Sequence, residues 1–425
     1  MGHKTAVRRS RRERLALHLD SEYTKPIRDP LWKHIYLSEG LFKVLDTGVF
    51  QQLNRIKQLG PAYLVYPGAT HTRLSHSLGV YHIAFRMVRQ LLGVSDSLGI
   101  SVDGVKAYLC AALLHDLGHF PFTHSFKDLP LSEHEELTGR IIIESELRSI
   151  IADSVGTDPH MVAAIVDSNL EFGNSDEVRF FRRLLSGSLD PDKLDYLNRD
   201  AYFCGVPYGV QDIDFALSRL TFDSEIGLLL HAGGISAVEN ILFSKYLMYR
   251  AVYWHRTVRI ATAMIKKAVH LGLAEGMIRP EELYFLDDDS FARKFADSPY
   301  LPFSLIAGVY GRNLYKTVFE RPFNPHDRRD ASLANLSHRK ELEEEIARRL
   351  GVDDSHSVII DVPEAVSFEI SLPVLTDSGT VDYPDSGTVF TPSVVRDFTG
   401  HLRLIRLIVR PGLADRAAKI AAEVL

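Results

Sequence analysis

Two histidines and two aspartates occupy places in this sequence that favour metal chemistry. His115 and Asp116 are adjacent at the end of an apolar segment that starts at residue 107, so both side chains can face one ion at a helix end. His76 lies near the start of an earlier amphipathic segment, and Asp192 lies near the start of a later one. Two imidazoles with two carboxylates suit a divalent transition metal such as Mn, Fe, Co, Ni or Zn, with room for water and substrate oxygens.

A structural role for these residues is the alternative. A single histidine at the end of an apolar helix is more often a hydrogen-bonded core residue than a metal ligand, and the pair His115 and Asp116 alone favours that interpretation. The positions of His76 and Asp192, each near the start of another helix, favour metal binding over a structural role. Since the sequence has no cysteine pair of the kind that binds structural zinc, we predict a catalytic site that polarises a phosphoryl oxygen or activates a bound water.

Helical spacing places further polar and aromatic side chains near such a site. Asp192, Tyr196 and Asp200 are four residues apart and therefore share one helix face. A second stripe lies on a long helix predicted over residues 237–272, and it consists of Lys245, Tyr249, Tyr253 and Arg256. An aromatic stripe is usually core, but the basic residues at both ends of this one favour a pocket wall.

The elements that position these residues are predicted to be mostly helices. Between residues 76 and 270 the apolar residues recur mostly at spacings of three and four. A short strand pair is predicted over 226–235, with Gly233 and Gly234 as its turn. Beyond a polar connector at 325–334, we predict a helix at 342–350, strands at 358–362, 368–370 and 402–409, a hairpin or mobile loop at 376–391, and a final helix from residue 414.

The predicted fold is therefore mainly α, with a small C-terminal α/β appendage. We divide the chain into a basic N-terminal arm (1–20), a helical core (21–324) and a C-terminal α/β subdomain (335–425). The arm is rich in lysine and arginine, and we interpret it as solvated and disordered rather than phosphate-binding.

The composition narrows the class of protein. With 55 acidic and 49 basic side chains and a formal net charge of -6, the chain is not a general nucleic-acid coat. Its two cysteines, Cys110 and Cys204, lie in apolar surroundings and predict two buried thiols in a reducing cytoplasm. No apolar run approaches the roughly 18 residues that span a bilayer, so a cytoplasmic protein without membrane contact is expected.

Three ordered groups of residues carry a resemblance to a known family. They are Phe50-Gln51-Gln52-Leu53, Gln58-Leu59-Gly60 and Tyr66-Pro67-Gly68-Ala69-Thr70-His71-Thr72-Arg73-Leu74-Ser75-His76-Ser77-Leu78-Gly79-Val80; His115-Asp116-Leu117-Gly118-His119, Pro121-Phe122-Thr123-His124 and His134-Glu135; and Asp190-Pro191-Asp192-Lys193-Leu194-Asp195-Tyr196-Leu197-Asn198-Arg199-Asp200. Together they resemble the HD-domain deoxynucleoside triphosphate triphosphohydrolases over about residues 29–260.

The resemblance implies an activity and its catalytic groups. The reaction implied is hydrolysis of a deoxynucleoside triphosphate to the deoxynucleoside and inorganic triphosphate, with one divalent metal ion, Mg included, held by the four residues named first. His124 and His134 are implied as the catalytic histidines beside the scissile phosphate, and His119 is a further candidate. Histidine suits proton transfer to the leaving oxygen because its ordinary pKa lies close to the working pH.

The resemblance also implies a deoxynucleotide pocket. Its residues are Gln58, Leu59, Arg73, Lys193, Tyr196, Asp200, Lys245 and Tyr253. Gln58 and Leu59 are implied to pack against the sugar and to exclude ribose. Arg73 is implied to grip the phosphate next to the sugar, and Asp200 to accept the 3′-hydroxyl.

The sequence departs from the family pattern at three positions. Phe120 replaces a glycine and is expected to narrow or reshape the phosphate pocket. Lys127 stands three residues after His124, where the family carries a supporting acid, and the acid is displaced to Asp128. Lys245 replaces a phosphate-gripping arginine, which keeps the charge but loses the two-pronged contact.

Assembly, regulation and two alternative functions complete the expectations. A homo-oligomer, either dimer or tetramer, follows from the resemblance alone. A nucleotide activator is left open, because Asp46 matches a position that reads guanine while Asn54 replaces its basic partner. Phe120 and Lys127 keep open another HD reaction on a nucleotide monophosphate or diester, and the basic arm keeps open a non-catalytic protein that binds nucleotide or nucleic acid.

Overall fold

The computed structural model describes residues 10–95, 98–173, 175–354, 356–368 and 370–424. The helices are α1 Arg11–Glu22, α2 Glu39–Leu45, α3 Gly48–Gln51, α4 Arg73–Val94, α5 Val102–Leu114, α6 His134–Glu144, α7 Leu147–Ile150, α8 Pro159–Val166, α9 Asp176–Leu185, α10 Pro191–Cys204, α11 Ile213–Ser218, α12 Ile235–Met248, α13 Arg256–Ala274, α14 Asp288–Phe295, α15 Ser304–Tyr310, α16 Arg328–Ser332, α17 Leu336–Arg349, α18 Pro392–Leu402 and α19 Ala414–Val424. The mainly α fold predicted from the sequence is confirmed.

Three small sheets accompany the helices in the described residues. The strands are β1 Lys25–Asp29, β2 Lys33–Leu37, β3 Leu220–Asp223, β4 Gly227–His231, β5 Lys316–Pro322, β6 Val358–Asp361, β7 Val374–Thr376, β8 Gly379–Val381 and β9 Leu404–Val409. Strands β1 and β2 form a hairpin, a second sheet has the order β3-β4-β7-β8, and a third has the order β5-β9-β6. Within the second sheet β4 and β7 run parallel.

Helix α5 is the centre of the main core and fixes the end from which His115 and Asp116 project. From Gly104 to Leu114 every residue except Lys106 is buried. A fully buried large aliphatic side chain contributes roughly 1.5–3 kcal/mol, so this helix is held firmly against α4 and α8.

Caps define the starts of the two other helices that carry metal-site candidates. The Thr72 side chain accepts a hydrogen bond from Ser75 at the start of α4. The Asp190 side chain accepts one from the Lys193 amide at the start of α10, where proline is the first helical residue. Both candidate ligands on these helices, His76 and Asp192, therefore lie in first turns.

The single helix predicted over residues 237–272 is wrong. Helix α12 ends at Met248, a π-helical turn covers Tyr249–Tyr253, and α13 begins at Arg256. The break is defined by His255, whose ring accepts a hydrogen bond from the Thr257 amide and so caps the new helix. Periodicity alone did not show this, because the apolar residues continue on both sides of the break.

Two predicted strands also need correction. The hairpin near residue 230 is formed by β3 and β4, so its turn lies at residues 224–226, whereas Gly233 and Gly234 lie in a short 3-10 turn that leads into α12. The described residues of the predicted strand 368–370, Phe368 and Ile370, lie in no strand. The Phe368 ring instead packs in the main core beside Tyr246 and Phe398.

The predicted division into arm, core and subdomain differs from the structure at both boundaries. Residues 1–9 lie outside the described residues, but residues 11–22 form helix α1, whose Leu15 and Leu19 are buried. Strand β5, placed with the core by prediction, pairs with β9 of the C-terminal unit, and β7 of that unit pairs with β4 of the core. The C-terminal unit therefore shares sheets with the core.

Two simpler expectations concern the cysteines and the membrane. Both thiols are free, Cys110 is buried and Cys204 is half-buried. Among the described residues, the helices are all too short or too polar to cross a bilayer.

Candidate active site

The four predicted metal ligands converge where α4, α5 and α10 meet. The donor atoms of His76, His115 and Asp116 all lie within 4.8 Å of one another. Asp192 Oδ1 lies 2.9 Å from His76 Nε2 and 3.9 Å from His115 Nε2. Asp116 completes the group, with Oδ1 at 3.3 Å from His115 Nε2 and Oδ2 at 3.9 Å from His76 Nε2.

This donor set fits one divalent ion. Ligand atoms about 2.1 Å from an ion lie about 3.0–3.4 Å from each other in tetrahedral or octahedral geometry, close to the separations found. His115 Nε2 is buried and has no hydrogen-bond partner among the described residues, while its Nδ1 lies 3.0 Å from the Ala112 carbonyl oxygen. A hydrogen bond from Nδ1–H to that carbonyl fixes the tautomer whose Nε2 lone pair faces Asp116 and Asp192.

The charge balance around the donor set keeps the carboxylates ionised. Burial favours the neutral form of Asp116, but His119, His115 and Arg73 outweigh it and hold the pKa of Asp116 well below its usual range. Burial likewise opposes the ionised form of Asp192, whereas His76 lowers its pKa. The donor set is buried at His76, but the Asp192 side chain is 40% exposed. The donor set therefore lines a cleft.

His76 is a stronger base than an ordinary histidine. Burial favours its neutral form, but hydrogen bonds from its ring to Asp192 and Asp195 raise the pKa of His76 to about 10. A metal ion that binds Nε2 therefore displaces a proton.

Three further histidines form a cluster against the Asp116 side of this group. His119 Nδ1 lies 3.2 Å from Asp116 Oδ1, and His119 Nε2 lies 3.1 Å from His124 Nε2. The ring centre of His134 is 4.0 Å from that of His119 and 5.6 Å from that of His124. The structure thus brings together all three histidines that the resemblance implied.

All three imidazoles of this cluster are kept neutral. Burial, followed by the positive charge of Arg73, holds the pKa of His119 well below the ordinary value. The His124 side chain reaches the surface, and desolvation by the protein groups packed around its ring, followed by the charge of Arg73, lowers its pKa. Burial also lowers the pKa of His134 to about 4, against the opposing charge of Asp116. An anionic phosphate chain beside the cluster reverses part of this effect, because a nearby negative charge favours the imidazolium form.

The other side of the donor set continues along α10 into an aromatic and acidic pocket. Tyr253 Oη donates to Asp200 Oδ2 at 2.6 Å, and the ring centre of Tyr253 lies 6.3 Å from Tyr196 and 5.0 Å from Tyr249. Burial raises the pKa of each tyrosine, so each hydroxyl stays protonated. Of the stripe predicted on the long helix, Tyr249 and Tyr253 lie in the π-helical turn at this pocket, whereas Arg256 begins α13 beyond the break and donates to the Thr317 carbonyl.

The basic residues predicted to contact phosphate are already engaged. Arg73 donates to Asp116 Oδ2 at 2.7 Å from a buried position. Lys193 pairs with Asp190 and donates to the Gly187 carbonyl. Lys245 donates to the Ser367 carbonyl at 2.6 Å, and burial, together with Lys193, lowers the pKa of Lys245 to about 8.

The predicted sugar wall lies beside the start of α4. The backbone amide of Gln58 donates to the His71 carbonyl at 3.0 Å. The side-chain oxygen of Gln58, Oε1, is buried without a partner among the described residues. Leu59 is half-buried against Ala62 and Ala69. The His71 ring also lies within hydrogen-bond distance of Asp200, so the predicted sugar wall is continuous with the pocket around Asp200.

Comparisons with known proteins agree with this geometry. The HD domain family matches residues 73–195, and the HD associated region matches residues 212–384. The uncharacterized protein YwfO of Bacillus subtilis is 31% identical over 373 residues, which cover 82% of each chain. The chain belongs to the HD phosphohydrolase family.

Two further proteins are similar to this HD phosphohydrolase at lower identity. A protein named deoxynucleoside triphosphate triphosphohydrolase SAMHD1 homolog, from Dictyostelium discoideum, is 28% identical over 334 residues, and the match covers 71% of this chain and 62% of that one. The crystal structure of a hypothetical protein from Aquifex aeolicus superimposes with a TM-score of 0.73 at 27% identity, covering 93% of this chain and 99% of the other.

The ring of Phe120 packs in a second core. Phe120 was expected to narrow or reshape the phosphate pocket, but its ring is 1% exposed and packs beside Phe126 and Tyr284, so the ring itself does not narrow an open pocket. Gly118, two residues before Phe120, is required by a close approach of the backbone of α6. A Cβ there would collide with the His134 carbonyl, so this glycine lets α6 bring His134 to the cluster.

The displaced acid does not support His124. Asp128 pairs with Lys266 and with Arg339 at 2.9 Å, and these cations, against the effect of burial, lower the pKa of Asp128. Lys127 is exposed, and its charge acts on His124. Asp128 therefore links the loop that carries His124 to α13 and α17, and Lys127 is the charged residue left beside His124.

This arrangement predicts that Asp128→Asn changes stability rather than chemistry. The substitution weakens two ion pairs that are only partly exposed, so we expect a lower unfolding temperature with kcat nearly unchanged. Thermal unfolding and turnover measured on the same preparation test this. A large loss of kcat without a change in stability would show instead that Asp128 is the displaced helper.

Sequence reasoning missed a group of supporting residues. Asp195, Arg199 and Asp29 form a buried chain of hydrogen bonds behind His76. His71 similarly holds Asp200 at 2.8 Å and stacks on Phe203. The four-residue spacing of Asp195 and Arg199 was a signal for an ion pair, but nothing in the spacing showed that the pair is buried against a metal ligand.

Proposed function

We propose that this HD phosphohydrolase hydrolyses deoxynucleoside triphosphates to the deoxynucleoside and inorganic triphosphate. One observation carries the proposal: the donor set at His76 and His115 lies between two distinct environments, the histidine cluster on the Asp116 side and the tyrosine and aspartate pocket along α10. A nucleotide laid across the donor set meets proton-transfer groups at its phosphates and hydrogen-bond acceptors at its sugar.

The donor chemistry explains why a divalent ion belongs in this proposal. HD domains bind divalent metals, and two imidazoles with two carboxylates offer the mixed nitrogen and oxygen set that Mn, Fe, Co, Ni and Zn accept. When bound, the ion supplies charge neutralisation at phosphoryl oxygens and a more acidic water.

The chain's own residues then divide the work. The triphosphate, lying along the histidine cluster, raises the proton affinity of His124. In this proposal a water molecule bonds to the α-phosphorus and loses a proton to solvent while the bond to the 5′-oxygen breaks, and His124 gives its proton to that departing oxygen. His134 and His119 keep His124 oriented through ring contacts of 5.6 and 4.8 Å between centres. Arg73, already charged and buried, neutralises the phosphate next to the sugar.

Asp200 and the tyrosines hold the sugar. The Asp200 carboxylate is fixed by His71 and Tyr253, so it accepts a hydrogen bond from the 3′-hydroxyl without reorganisation. The named activity of the Dictyostelium relative, which is a deoxynucleoside triphosphate triphosphohydrolase, supports this assignment.

The decisive experiment is product analysis. All four dNTPs are incubated with the metal-loaded protein, with Mg, Mn, Co and Zn tested separately, and the products are separated by ion-exchange chromatography. We expect the deoxynucleoside and inorganic triphosphate. Release of orthophosphate or pyrophosphate would assign another HD reaction, and tight nucleotide binding without turnover under every metal would assign a binding protein.

A preference for deoxyribose is expected from the wall beside His71. Gln58 and Leu59 lie next to the residue that holds Asp200, so an added 2′-hydroxyl becomes crowded and poorly hydrated. We expect dGTP to be hydrolysed with a kcat/KM about 10–200-fold above that of GTP, the range that one crowded group gives. Equal turnover of the two nucleotides would place the sugar elsewhere.

The homo-oligomer stays a prediction. Light scattering coupled to size-exclusion chromatography, with and without dGTP, tests both the assembly and the nucleotide activator.

A further inference from the structure

The ring of His76 is held from behind by Asp195. His76 Nδ1 lies 2.8 Å from Asp195 Oδ2, and the two residues are 1% and 0% exposed. On the opposite side of the ring, Nε2 faces Asp192 at 2.9 Å. A hydrogen bond that fixes a proton on Nδ1 leaves the Nε2 lone pair as the only one available to an ion.

Asp195 is itself held by an unusually complete set of donors. Arg199 donates from Nε to Oδ2 and from Nη2 to Oδ1, at 2.8 and 3.0 Å. Trp32 donates from its indole nitrogen to Oδ1 at 2.5 Å. Arg199 is anchored in turn by Asp29, at 2.8 Å. The carboxylate therefore has no freedom to rotate, and its direction is transmitted to the His76 ring.

The helix that carries His76 is shaped to admit this carboxylate. Gly79 lies on α4 three residues after His76, and a Cβ built there would overlap the Asp195 carboxylate and the Arg199 guanidinium. Only glycine leaves room for the pair at this position. Gly93, near the end of the same helix, meets nothing within 4 Å when a Cβ is added.

We propose that Asp195 is a positioning residue that sets the tautomer and direction of the metal ligand His76, with Arg199, Trp32 and Gly79 holding the carboxylate in place. The role concerns metal binding, so it rests on the donor set at His76 and His115 and is independent of which nucleotide is hydrolysed. Outer residues of this kind contribute about 10–100-fold to metal affinity in other sites.

The substitution Asp195→Asn tests the role with little change of shape. Asn has one acceptor oxygen where Asp has two. An amide nitrogen at the Oδ1 position would face two donors, Trp32 and Arg199 Nη2. At the Oδ2 position it would face only one, Arg199 Nε, because His76 Nδ1 can become an acceptor. The amide nitrogen is therefore expected on the His76 side, where it donates to Nδ1 and moves the ring proton to Nε2. That tautomer presents an N–H to the ion instead of a lone pair.

The measurement is Co²⁺ binding to the metal-free chain by calorimetry, with the visible spectrum recorded at saturating Co²⁺. We expect Asp195→Asn to bind Co²⁺ about 10–100-fold more weakly than the wild type and to give an altered spectrum, since the ion loses an imidazole. The matched control is Asp330→Asn, another fully buried aspartate paired with an arginine, Arg321, in the C-terminal unit. It should bind Co²⁺ as the wild type does.

A second pair of variants guards against a failure to fold. Gly79→Ala displaces the carboxylate without changing any charge, whereas Gly93→Ala adds the same methyl to α4 in open space. We expect weaker Co²⁺ binding and the altered spectrum only from Gly79→Ala.

The outcomes separate this role from the metal site itself. Wild-type affinity and spectrum in Asp195→Asn and in Gly79→Ala, together with loss of Co²⁺ in His115→Ala, would overturn the positioning role alone. Retention of Co²⁺ in His115→Ala would overturn the metal site and this role with it.

Discussion

Alanine at His115 or at Asp192 should remove the bound metal ion and hydrolysis together, while the helices stay folded. His115 lies just beyond the buried part of α5, and Asp192 faces the cleft with 40% of its side chain exposed. Neither side chain belongs to the hydrophobic core, so its loss costs little packing. Metal content by mass spectrometry, dNTP turnover and far-UV circular dichroism, measured on one preparation of each variant, test the expectation.

A surface histidine provides the control for these variants. His160 is exposed on α8, and His160→Ala should keep both metal and activity. A second group of metal-ligand types, Glu133, His134 and Glu135, lies near the site. Stoichiometric metal and normal turnover in His115→Ala, with loss of metal in the double variant Glu133→Ala and Glu135→Ala, would move the ion to that group.

The convergence of the four candidate metal ligands was predictable from the sequence because helix ends and helix faces position them. His115 follows a wholly apolar segment, so its helix had to be central and its end had to face inward. His76 and Asp192 lie in first turns defined by Thr72 and Asp190, side chains that are common helix caps. Local rules of this kind act over a few residues and need no knowledge of the partner.

The supporting residues were not predictable in the same way. Asp195 and Arg199 carry charge and are spaced as an exposed ion pair usually is, yet both are fully buried. Their burial depends on Asp29 and Trp32, which are more than 160 residues away in the chain. Only the assembled fold places the β1–β2 hairpin over α10, and no local pattern encodes that contact.

The break before α13 has the same origin. Apolar periodicity continues through residues 249–255, so a straight helix satisfied the pattern. The structure instead widens the helix at Tyr249–Tyr253 and ends it with a cap from His255. Wide turns of this type are frequent at functional sites, and here the turn carries Tyr249 and Tyr253 toward Asp200.

Charged groups around His124 control how readily its ring takes up a proton, so we expect substitutions there to change the rate. The His124 side chain reaches the surface, but desolvation by the protein groups around its ring and the charge of Arg73 lower its pKa, and Lys127 lowers it further. For the general acid that we propose, the imidazolium is therefore scarce in the free chain at neutral pH, and we expect it to form when an anionic nucleotide binds. Replacing Lys127 by Gln and then by Glu removes this cation and afterwards adds an anion. We expect kcat to rise in the order Lys, Gln, Glu, as measured at saturating dNTP with the best metal.

His124→Ala should lower kcat by about 100-fold or more, the usual contribution of a general acid or base, while metal content and nucleotide affinity change little. The reason is that a group which transfers a proton stabilises the transition state and contributes little to ground-state binding. His124 is not one of the four candidate metal ligands. Its ring contacts His119, and His119 in turn contacts Asp116. Single-turnover rates and dNTP binding by calorimetry, compared with the control His160→Ala, separate chemistry from binding. The Lys127→Glu gain should also vanish when it is combined with His124→Ala, because the charge acts through that ring. Wild-type kcat in His124→Ala would transfer the catalytic role to His134 or His119, whose rings lie in the same cluster.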